Sequence, residues 1–287
     1  MKRHFNTKEE LRDYLNLHSN EKSIGFVPTM GALHMGHISL LKKAFTENDV
    51  VVTSIFVNPT QFNNQEDLIN YPSTLEDDLK LICEISEEIV VFTPSVQEMY
   101  QENVRSKNYD FEGIDLYLEG LDRPGHFDGV GTIVEELLRI VSPDKAYFGE
   151  KDFQQLLIVK SLVKQLQLPI EIISCPIVRE ANGLAMSSRN SRLTQTQRDR
   201  AVFIYDSLNL AIELAKNNNP QQLKKLIEQR FSKEADFDLK YFEIACVDNF
   251  LPVTEFEANK HYRFLIAVVF HDVRLIDNIG YTHFVIN

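Results

Sequence analysis

Two histidines three residues apart are the first side chains in the chain that could act on a phosphate. His34 and His37 lie in the segment Pro28-Thr29-Met30-Gly31-Ala32-Leu33-His34-Met35-Gly36-His37, which joins an apolar run to a run with helical spacing. Residues three apart at a helix start lie on one face, and the helix N-terminus adds partial positive charge. Imidazole donors, backbone N–H groups and a close approach at Gly36 suit a triphosphate. Two packing histidines are the alternative.

Amides and a lysine follow two later apolar runs. Asn58 and Gln61 could hold a hydroxyl or carboxylate, although Pro59 between them also fits a plain turn. Further on, Asp152 and Gln155 fit a helix N-cap and its capping-box partner. A capping box does not explain Lys151, because a lysine opposes the dipole at a helix N-terminus. Lys151 therefore indicates a bound anion.

A cationic segment stands out in this acidic chain. The formal net charge is −12, yet residues 181–198 contain Arg189, Arg192 and Arg198 and no acidic residue. Ser187 and Ser188 precede the first of these arginines, and hydroxyl and guanidinium groups both donate hydrogen bonds to phosphate oxygens. A turn that opens a helix is the alternative for the same residues.

Two further segments have weaker functional interpretations. Asp77 and Asp78 could support Mg²⁺, which binds one or two carboxylates together with substrate phosphates, but acidic residues also favour any first helical turn. The segment 120–130 contains Arg123 and His126 among glycines and a proline. It predicts a loop that leads into a helix and could cover a reactive intermediate.

The elements that must position these side chains alternate between strand and helix. Apolar runs predict strands at 23–27, 50–57, 88–93, 146–148 and 170–175, and helical spacing predicts helices at 36–48, 74–85, 130–141 and 152–165. Repeated βαβ units predict a Rossmann-like parallel sheet that binds ligands beyond the carboxyl ends of its strands. The loops that begin at Pro28, Asn58 and Gly149 occupy that position.

The pattern changes after Pro176. Thr194 and Gln197 form a capping-box pattern at the start of a helix that is predicted to run to about Lys216, and a second helix runs to about Lys233. Strands are predicted at 239–247 and 262–270. We therefore predict α/β architecture in two domains, a Rossmann-like domain at 1–176 and a smaller α+β lid domain at 177–287.

Composition excludes several classes of protein. A net charge of −12 argues against nucleic-acid binding, which requires an excess of lysine and arginine. No apolar segment reaches the length of a membrane span, and the N-terminus lacks the apolar region of a signal peptide. Three widely separated cysteines are typical of free thiols in a reducing compartment. These features predict a cytoplasmic protein without membrane or nucleic-acid partners.

Four ordered strings between Ser23 and Thr194 resemble the pantothenate synthetase family of the nucleotidyltransferase superfamily. They are the His-x-Gly-His turn, the Asn58–Gln61 turn, Gly149-Glu150-Lys151-Asp152-Phe153-Gln154-Gln155, and Met186-Ser187-Ser188-Arg189. The resemblance implies a homodimeric ligase that joins pantoate to β-alanine with ATP and Mg²⁺. It implies a pantoyl-adenylate intermediate and release of AMP and pyrophosphate.

The resemblance also assigns site residues. It implies catalytic roles for His34, His37, Lys151 and Arg189, with His37 at the position of the family's proton donor. It implies pantoate or β-alanine contacts for Gln61, Gln155 and Asn58, and a magnesium role for Asp77. The ATP-binding positions that it implies are Met30, Gly31, Ala32, Leu33, His34, Met35, Gly36, His37, Gly149, Glu150, Lys151, Asp152, Val178, Met186, Ser187, Ser188 and Arg189. Met35 and Asp128 depart from the family pattern.

Three other functions are weighed against this interpretation. A simple nucleotidyltransferase would leave the nucleotide on its product. Release of AMP together with an amide product would exclude that function. A tRNA-charging enzyme is disfavoured because the chain is acidic and has no room for an anticodon-binding domain. A non-catalytic ATP-binding regulator would bind ATP without turnover, and the full set of His34, His37, Lys151 and Arg189 argues against it.

Overall fold

The chain divides into two compact units, Met1–Val178 and Arg179–Asn287. In the computed structural model, residues 3–17 and 22–284 are described. The sequence places the domain boundary after Pro176, two residues before the division seen here. The nucleotide-binding and lid roles predicted for the two domains stay predictions.

The first unit contains a six-stranded sheet in which every paired neighbour is parallel. The spatial order is β1-β4-β3-β2-β5-β6. This arrangement confirms the predicted Rossmann-like parallel sheet. The strands are β1 (His4–Phe5), β2 (Ile24–Thr29), β3 (Val50–Ile55), β4 (Val90–Phe92), β5 (Lys145–Gly149) and β6 (Glu171–Cys175).

Eight helices accompany this sheet within the described residues. Four of these helices lie at the predicted positions, and their ends agree with the prediction to within a few residues. The largest difference is at α7, which begins at His126, four residues before its predicted start. The elements β1, α1, α3, α5 and α6 were not predicted. The helices are α1 (Lys8–Asn16), α2 (Met35–Glu47), α3 (Gln65–Ile69), α4 (Leu75–Ile85), α5 (Val96–Tyr100), α6 (Glu119–Asp122), α7 (His126–Val141) and α8 (Phe153–Gln165).

The core under α2 fixes where this helix begins. Ile38, Leu41 and Ala44 recur at the helical spacing and are buried in one cluster with Val27 of β2 and Val51 of β3. Leu41 is fully buried. Since the apolar face of α2 is held against two central strands, its N-terminus is fixed just beyond the end of β2.

The sheet has its topological switch point between β2 and β5. From β2 the chain moves through β3 to β4 on one side, and then returns to β5 on the other side of β2. In sheets of this kind, ligands bind at the carboxyl ends of the two strands that flank the switch point. Those ends lead into the turn with His34 and His37 and into the turn with Lys151.

The second unit pairs three helices with a three-stranded antiparallel sheet, which confirms the predicted α+β character. The predicted helix from Thr194 to Lys216 is interrupted at Val202, whose backbone stays in the helical region (φ −55, ψ −26). The elements are α9 (Gln195–Ala201), α10 (Phe203–Leu214), α11 (Pro220–Phe231), β7 (Phe237–Cys246), β8 (His261–Phe270) and β9 (Val273–Thr282).

Strand β9 was not predicted. A two-residue turn at His271 and Asp272 joins it to β8, and both residues have positive φ (46° and 60°). Such a turn normally contains asparagine or glycine, so these two residues carry no clear hairpin signal. Within residues 3–17 and 22–284, no helix combines the length and apolar character needed to cross a membrane.

We expect Leu41→Ala to reduce the free energy of unfolding by about 2–5 kcal/mol, because it leaves a cavity between α2 and the sheet. Leu17→Ala is the matched control, since Leu17 is 82% exposed at the end of α1. Urea unfolding followed by circular dichroism measures both variants. Equal effects of the two substitutions would contradict the packing described for α2.

Candidate active site

The turn between β2 and α2 is held by a buried carboxylate. Asp78 of α4 accepts hydrogen bonds from the backbone N–H groups of Ala32 (2.9 Å) and Leu33 (2.7 Å). Gly31 has φ +83° and Ala32 has φ 49°, so the chain turns through the left-handed region at both residues. A Cβ atom at Gly31 would lie 3.1 Å from an Asp78 oxygen. Residue 31 is therefore both conformationally and sterically suited to glycine.

The two histidines cap the helix that they begin. Nδ1 of His34 accepts from the N–H of Gly36 (3.1 Å), and Nδ1 of His37 accepts from the N–H of His34 (3.4 Å). The ring centroids are 4.1 Å apart, so the predicted placement of the rings side by side is confirmed. Because each Nδ1 accepts a hydrogen bond, a neutral ring carries its proton on Nε2. Both histidines thus present an Nε2–H donor.

The surroundings keep both rings neutral. Burial, the neighbouring His37 and the Lys151 cation lower the pKa of His34 from 6.5 to about 3. Burial and the Lys151 cation lower the pKa of His37 from 6.5 to about 4. At neutral pH the pair therefore acts as two uncharged hydrogen-bond donors beside a lysine. An anionic ligand would be attracted by the lysine and would favour protonation of the rings.

Lys151 comes from the other side of the switch point. It lies in the 3₁₀ turn Glu150–Asp152 between β5 and α8, and its side chain is 18% exposed. Its ammonium group is 3.6 Å from Asp152 Oδ1. The capping box that was the structural alternative for Asp152 and Gln155 is wrong. Asp152 makes no side-chain cap hydrogen bond, because the 3₁₀ turn holds its backbone away from the extended conformation (φ −95, ψ 60).

The adjacent glutamines of α8 have different surroundings. Gln154 is buried, accepts from the N–H of Glu119 and donates to the carbonyls of Ile114 and Tyr117. Gln155 is half-buried. Of the two, Gln155 is the residue that was predicted to contact substrate. The structural role of Gln154 in tying the 114–119 segment to α8 was not predicted.

Asn58 and Gln61 lie beyond the end of β3. Asn58 is 1% exposed, and its Nδ2 donates to Gln61 Oε1 (3.1 Å) and to the carbonyl of Gly129 (3.0 Å). Its Oδ1 accepts from the hydroxyl of Tyr100. Gln61 Nε2 lies 2.9 Å from Met30 Sδ, on the turn that leads to the histidines. Asn58 thus orients the Gln61 amide. A direct contact between Asn58 and substrate stays a prediction.

The segment predicted as a covering loop is bonded to the same turn. Arg123 Nη2 and His126 Nδ1 both contact the backbone carbonyl of Gln61, at 3.2 and 2.8 Å. The segment also begins with α6 and ends in α7, so much of it is helical. Arg123 and His126 therefore brace the Gln61 turn.

Asp77 does not fit a resident magnesium site. Its side chain is 72% exposed and pairs with Lys80 at 2.9 Å. The neighbouring Asp78 accepts from Ala32, Leu33 and the Thr74 hydroxyl. Among residues 3–17 and 22–284, no group of three or more His, Cys, Asp or Glu side chains is arranged to hold a metal ion.

The serine–arginine string lies in the second unit on a braced turn. Arg179 bonds to both carboxylate oxygens of Asp277 (2.6 and 3.0 Å) and lies 3.7 Å from the centre of the Tyr205 ring. Asn190 is buried and donates to Glu180 and to the carbonyl of Ala185. These contacts, which the sequence pattern did not predict, hold the chain on both sides of Met186.

Ser187 has a local structural role in that turn. Its hydroxyl accepts from the N–H of Arg189 (3.3 Å) at the start of the 3₁₀ helix Ser188–Arg192. Arg198 donates to the carbonyls of Asn190 and Leu193, and Arg192 donates to the carbonyl of Asp272. The alternative of a helix-opening turn thus describes the local structure.

The phosphate contacts of Ser187, Ser188 and Arg189 stay predictions. The adenine contact of Val178, the last residue of the first unit, also stays a prediction.

Comparisons with known proteins agree with this geometry. A family model described as Pantoate-beta-alanine ligase matches residues 3–280. The chain is 48% identical over 277 residues to the pantothenate synthetase of Flavobacterium psychrophilum, covering 96% of this chain and 98% of the relative. The crystal structure of pantothenate synthetase from Thermus thermophilus superposes with a TM-score of 0.88 at 39% identity, covering 96% of this chain and 98% of that one.

A further solved structure is a complex with ligands. The pantoate-β-alanine ligase of Francisella tularensis, complexed with β,γ-ATP and β-alanine, has a TM-score of 0.76 at 38% identity and covers 96% of each chain. The parallel sheet, with a lysine and two neutral histidines at its switch point, is that of a Rossmann-like enzyme. The chain belongs to the pantoate-β-alanine ligase family, ligases that join pantoate and β-alanine to form pantothenate.

We expect His34 and His37 to remain neutral from pH 8 down to about pH 5 in the ligand-free protein, because their pKa values lie at about 3 and about 4. Ring-nitrogen NMR spectra should show the Nε2–H form of both. Lys151→Met should raise both pKa values, since it removes a neighbouring positive charge. Titration of either ring near pH 6.5 would contradict this electrostatic description.

The same pKa values predict the pH dependence of stability. Between about pH 4 and pH 6.5, the unfolded chain protonates these histidines and the folded chain does not. Their contribution to the free energy of unfolding should therefore fall as the pH is lowered through that window. Urea unfolding of the protein and of the His34→Gln/His37→Gln double variant at pH 7 and pH 5 measures this contribution.

We expect Asp78→Asn to lower the free energy of unfolding by about 1–3 kcal/mol. Each carboxylate oxygen of Asp78 now accepts from one buried N–H group, and the asparagine would place an NH₂ donor against one of them. Asp77→Asn is the matched control on the same helical turn, where the exposed pair with Lys80 is worth about 0–1 kcal/mol. Urea unfolding of the two variants in parallel measures the difference. A larger loss for Asp77→Asn would contradict the assignment of the turn to Asp78.

Proposed function

We propose that this chain activates pantoate with ATP and transfers the pantoyl group to β-alanine. In the first step a carboxylate oxygen of pantoate attacks the α-phosphorus, and the bond to the leaving pyrophosphate breaks. In the second step the β-alanine amine attacks the pantoyl carbon, loses a proton and displaces AMP. A free carboxylate is a poor acyl donor, and adenylation supplies the leaving group.

The observation that carries the proposal is the cationic, donor-rich site at the switch point. His34 and His37 present two Nε2–H groups, and Lys151 supplies a positive charge beside them. Positioned donors that meet charge as it develops on a phosphate are the main source of catalysis where the enzyme supplies no nucleophile. We therefore assign charge stabilisation on the α-phosphate to these three side chains.

The remaining roles follow the position of each side chain. Gln61, on the turn after β3, and Gln155, in the first turn of α8, would orient pantoate. Ser187, Ser188 and Arg189 would bind the β- and γ-phosphates and the leaving pyrophosphate. Mg²⁺ enters as part of the MgATP substrate. The relative from Francisella tularensis was solved with β,γ-ATP and β-alanine, which supports the same two ligands here. A cytoplasmic location and a homodimer belong to the same proposal.

Isotope transfer tests the intermediate directly. Pantoate labelled with ¹⁸O in its carboxylate should place one labelled oxygen in AMP, because the attacking oxygen stays on phosphorus when the amine displaces AMP. Pyrophosphate–ATP exchange should require pantoate and should not require β-alanine. Release of ADP and phosphate, or a product that keeps the nucleotide, would contradict the proposal. ATP binding without turnover would identify a regulator instead.

A further inference from the structure

Gln61 is held at both its backbone and its side chain. Its carbonyl oxygen accepts from Arg123 Nη2 and His126 Nδ1, and its Oε1 accepts from Asn58 Nδ2. Helix α7 packs directly on this turn: a Cβ atom at Gly129 would lie 2.4 Å from the carbonyl oxygen of Thr60. A glutamine side chain normally has considerable rotamer freedom, and these contacts remove it.

The hydrogen-bond directions at the carbonyl follow from the chemistry of the partners. Arg123 Nη1 lies 3.2 Å from His126 Nε2, and a guanidinium can only donate. His126 Nε2 therefore accepts, and the ring proton is on Nδ1, which donates to the Gln61 carbonyl. Arg123 also contacts Glu119 Oε2 at 3.3 Å, with both side chains largely buried. The guanidinium is thus fixed at one end by a carboxylate and at the other by the Gln61 turn.

The orientation of the Gln61 amide follows from the groups around Asn58, Tyr100 among them. The Tyr100 hydroxyl donates to Asn58 Oδ1, which also accepts from the N–H of Thr60. The Thr60 N–H can only donate and the Gly129 carbonyl can only accept, so Asn58 must present its Nδ2 to the Gly129 carbonyl and to Gln61. Gln61 in turn must present Oε1 to Asn58, so its Nε2 lies on the opposite side, near Met30. Burial raises the pKa of Tyr100, which keeps its hydroxyl protonated.

We propose that Tyr100, Arg123 and His126 are positioning residues that present Gln61 Nε2, and not its oxygen, to pantoate. This inference rests on the proposed pantoate contact of Gln61. An N–H donor at this point suits an oxygen acceptor such as the pantoate carboxylate or a hydroxyl oxygen. An inverted amide would place an oxygen against those acceptors. The segment predicted as a cover is, in this interpretation, part of the pantoate site's support.

Steady-state kinetics with each substrate varied in turn tests the proposal. Tyr100→Phe removes one hydroxyl and keeps the ring, and His126→Ala removes a donor to the Gln61 carbonyl. We expect each to raise the KM for pantoate about tenfold, the effect of one hydrogen bond. The KM for ATP should change less than about twofold. Tyr109→Phe is the matched control, because its hydroxyl bonds to Glu135 on the same helix α7.

A double-mutant cycle separates positioning from general damage to the fold. Gln61→Ala alone should raise the KM for pantoate at least tenfold, as expected for a hydrogen bond to a charged ligand. In that background Tyr100→Phe and His126→Ala should add nothing, because the side chain that they position is gone. His126→Asn, which keeps a donor, should restore part of the loss. Thermal unfolding confirms that each variant is folded.

The outcomes distinguish this inference from the proposed function. Additive effects in the Gln61→Ala background, or equal effects on the KM values for ATP and pantoate, would overturn the positioning role. An unchanged KM for pantoate in Gln61→Ala would remove both the pantoate contact of Gln61 and this inference, while AMP formation by the unaltered protein would continue to support the ligase reaction. Absence of AMP formation by the unaltered protein would contradict the proposed function itself.

Discussion

The backbone N–H groups between β2 and α2 require hydrogen-bond acceptors, and the groups that meet this requirement fix the rest of the site. Asp78 accepts from Ala32 and Leu33, and the two histidines accept from Gly36 and His34. The cap therefore consumes both Nδ1 atoms and leaves both Nε2–H groups as donors. An aspartate cap would satisfy the same N–H groups but would offer a ligand no such donor, because an ionised carboxylate only accepts.

In the protein without ligand, the surroundings of the two histidines disfavour their protonated forms. Burial and the Lys151 cation both oppose protonation of the histidines, and all three groups lie where a phosphate is proposed to bind. An anion there would relieve the unfavourable interaction between the lysine and any charge on the rings. The site is thus matched to a negatively charged ligand, and more so to one whose negative charge increases during reaction.

The sequence predicts those features that depend on short-range patterns. Alternation of apolar runs was sufficient for the parallel sheet, and spacing was sufficient to place His34 beside His37. Prediction from the sequence failed for features that depend on contacts between distant segments or on rare turns. The hydrogen bond from Tyr100 to Asn58 spans 42 residues, and the His271–Asp272 turn has no glycine or asparagine to mark it. Likewise, helical spacing alone does not show that Asp78 faces the turn and Asp77 faces solvent.

The supporting contacts also explain why a glycine- and proline-containing segment can be ordered. Arg123 satisfies a carboxylate, an imidazole nitrogen and a carbonyl at once, which a flexible loop could not do without a large loss of conformational entropy. Part of that loss is offset by helix α7, which begins at His126 and is buried along most of its length. A covering loop would instead have to open for each substrate, so the fixed geometry favours support of Gln61 over gating.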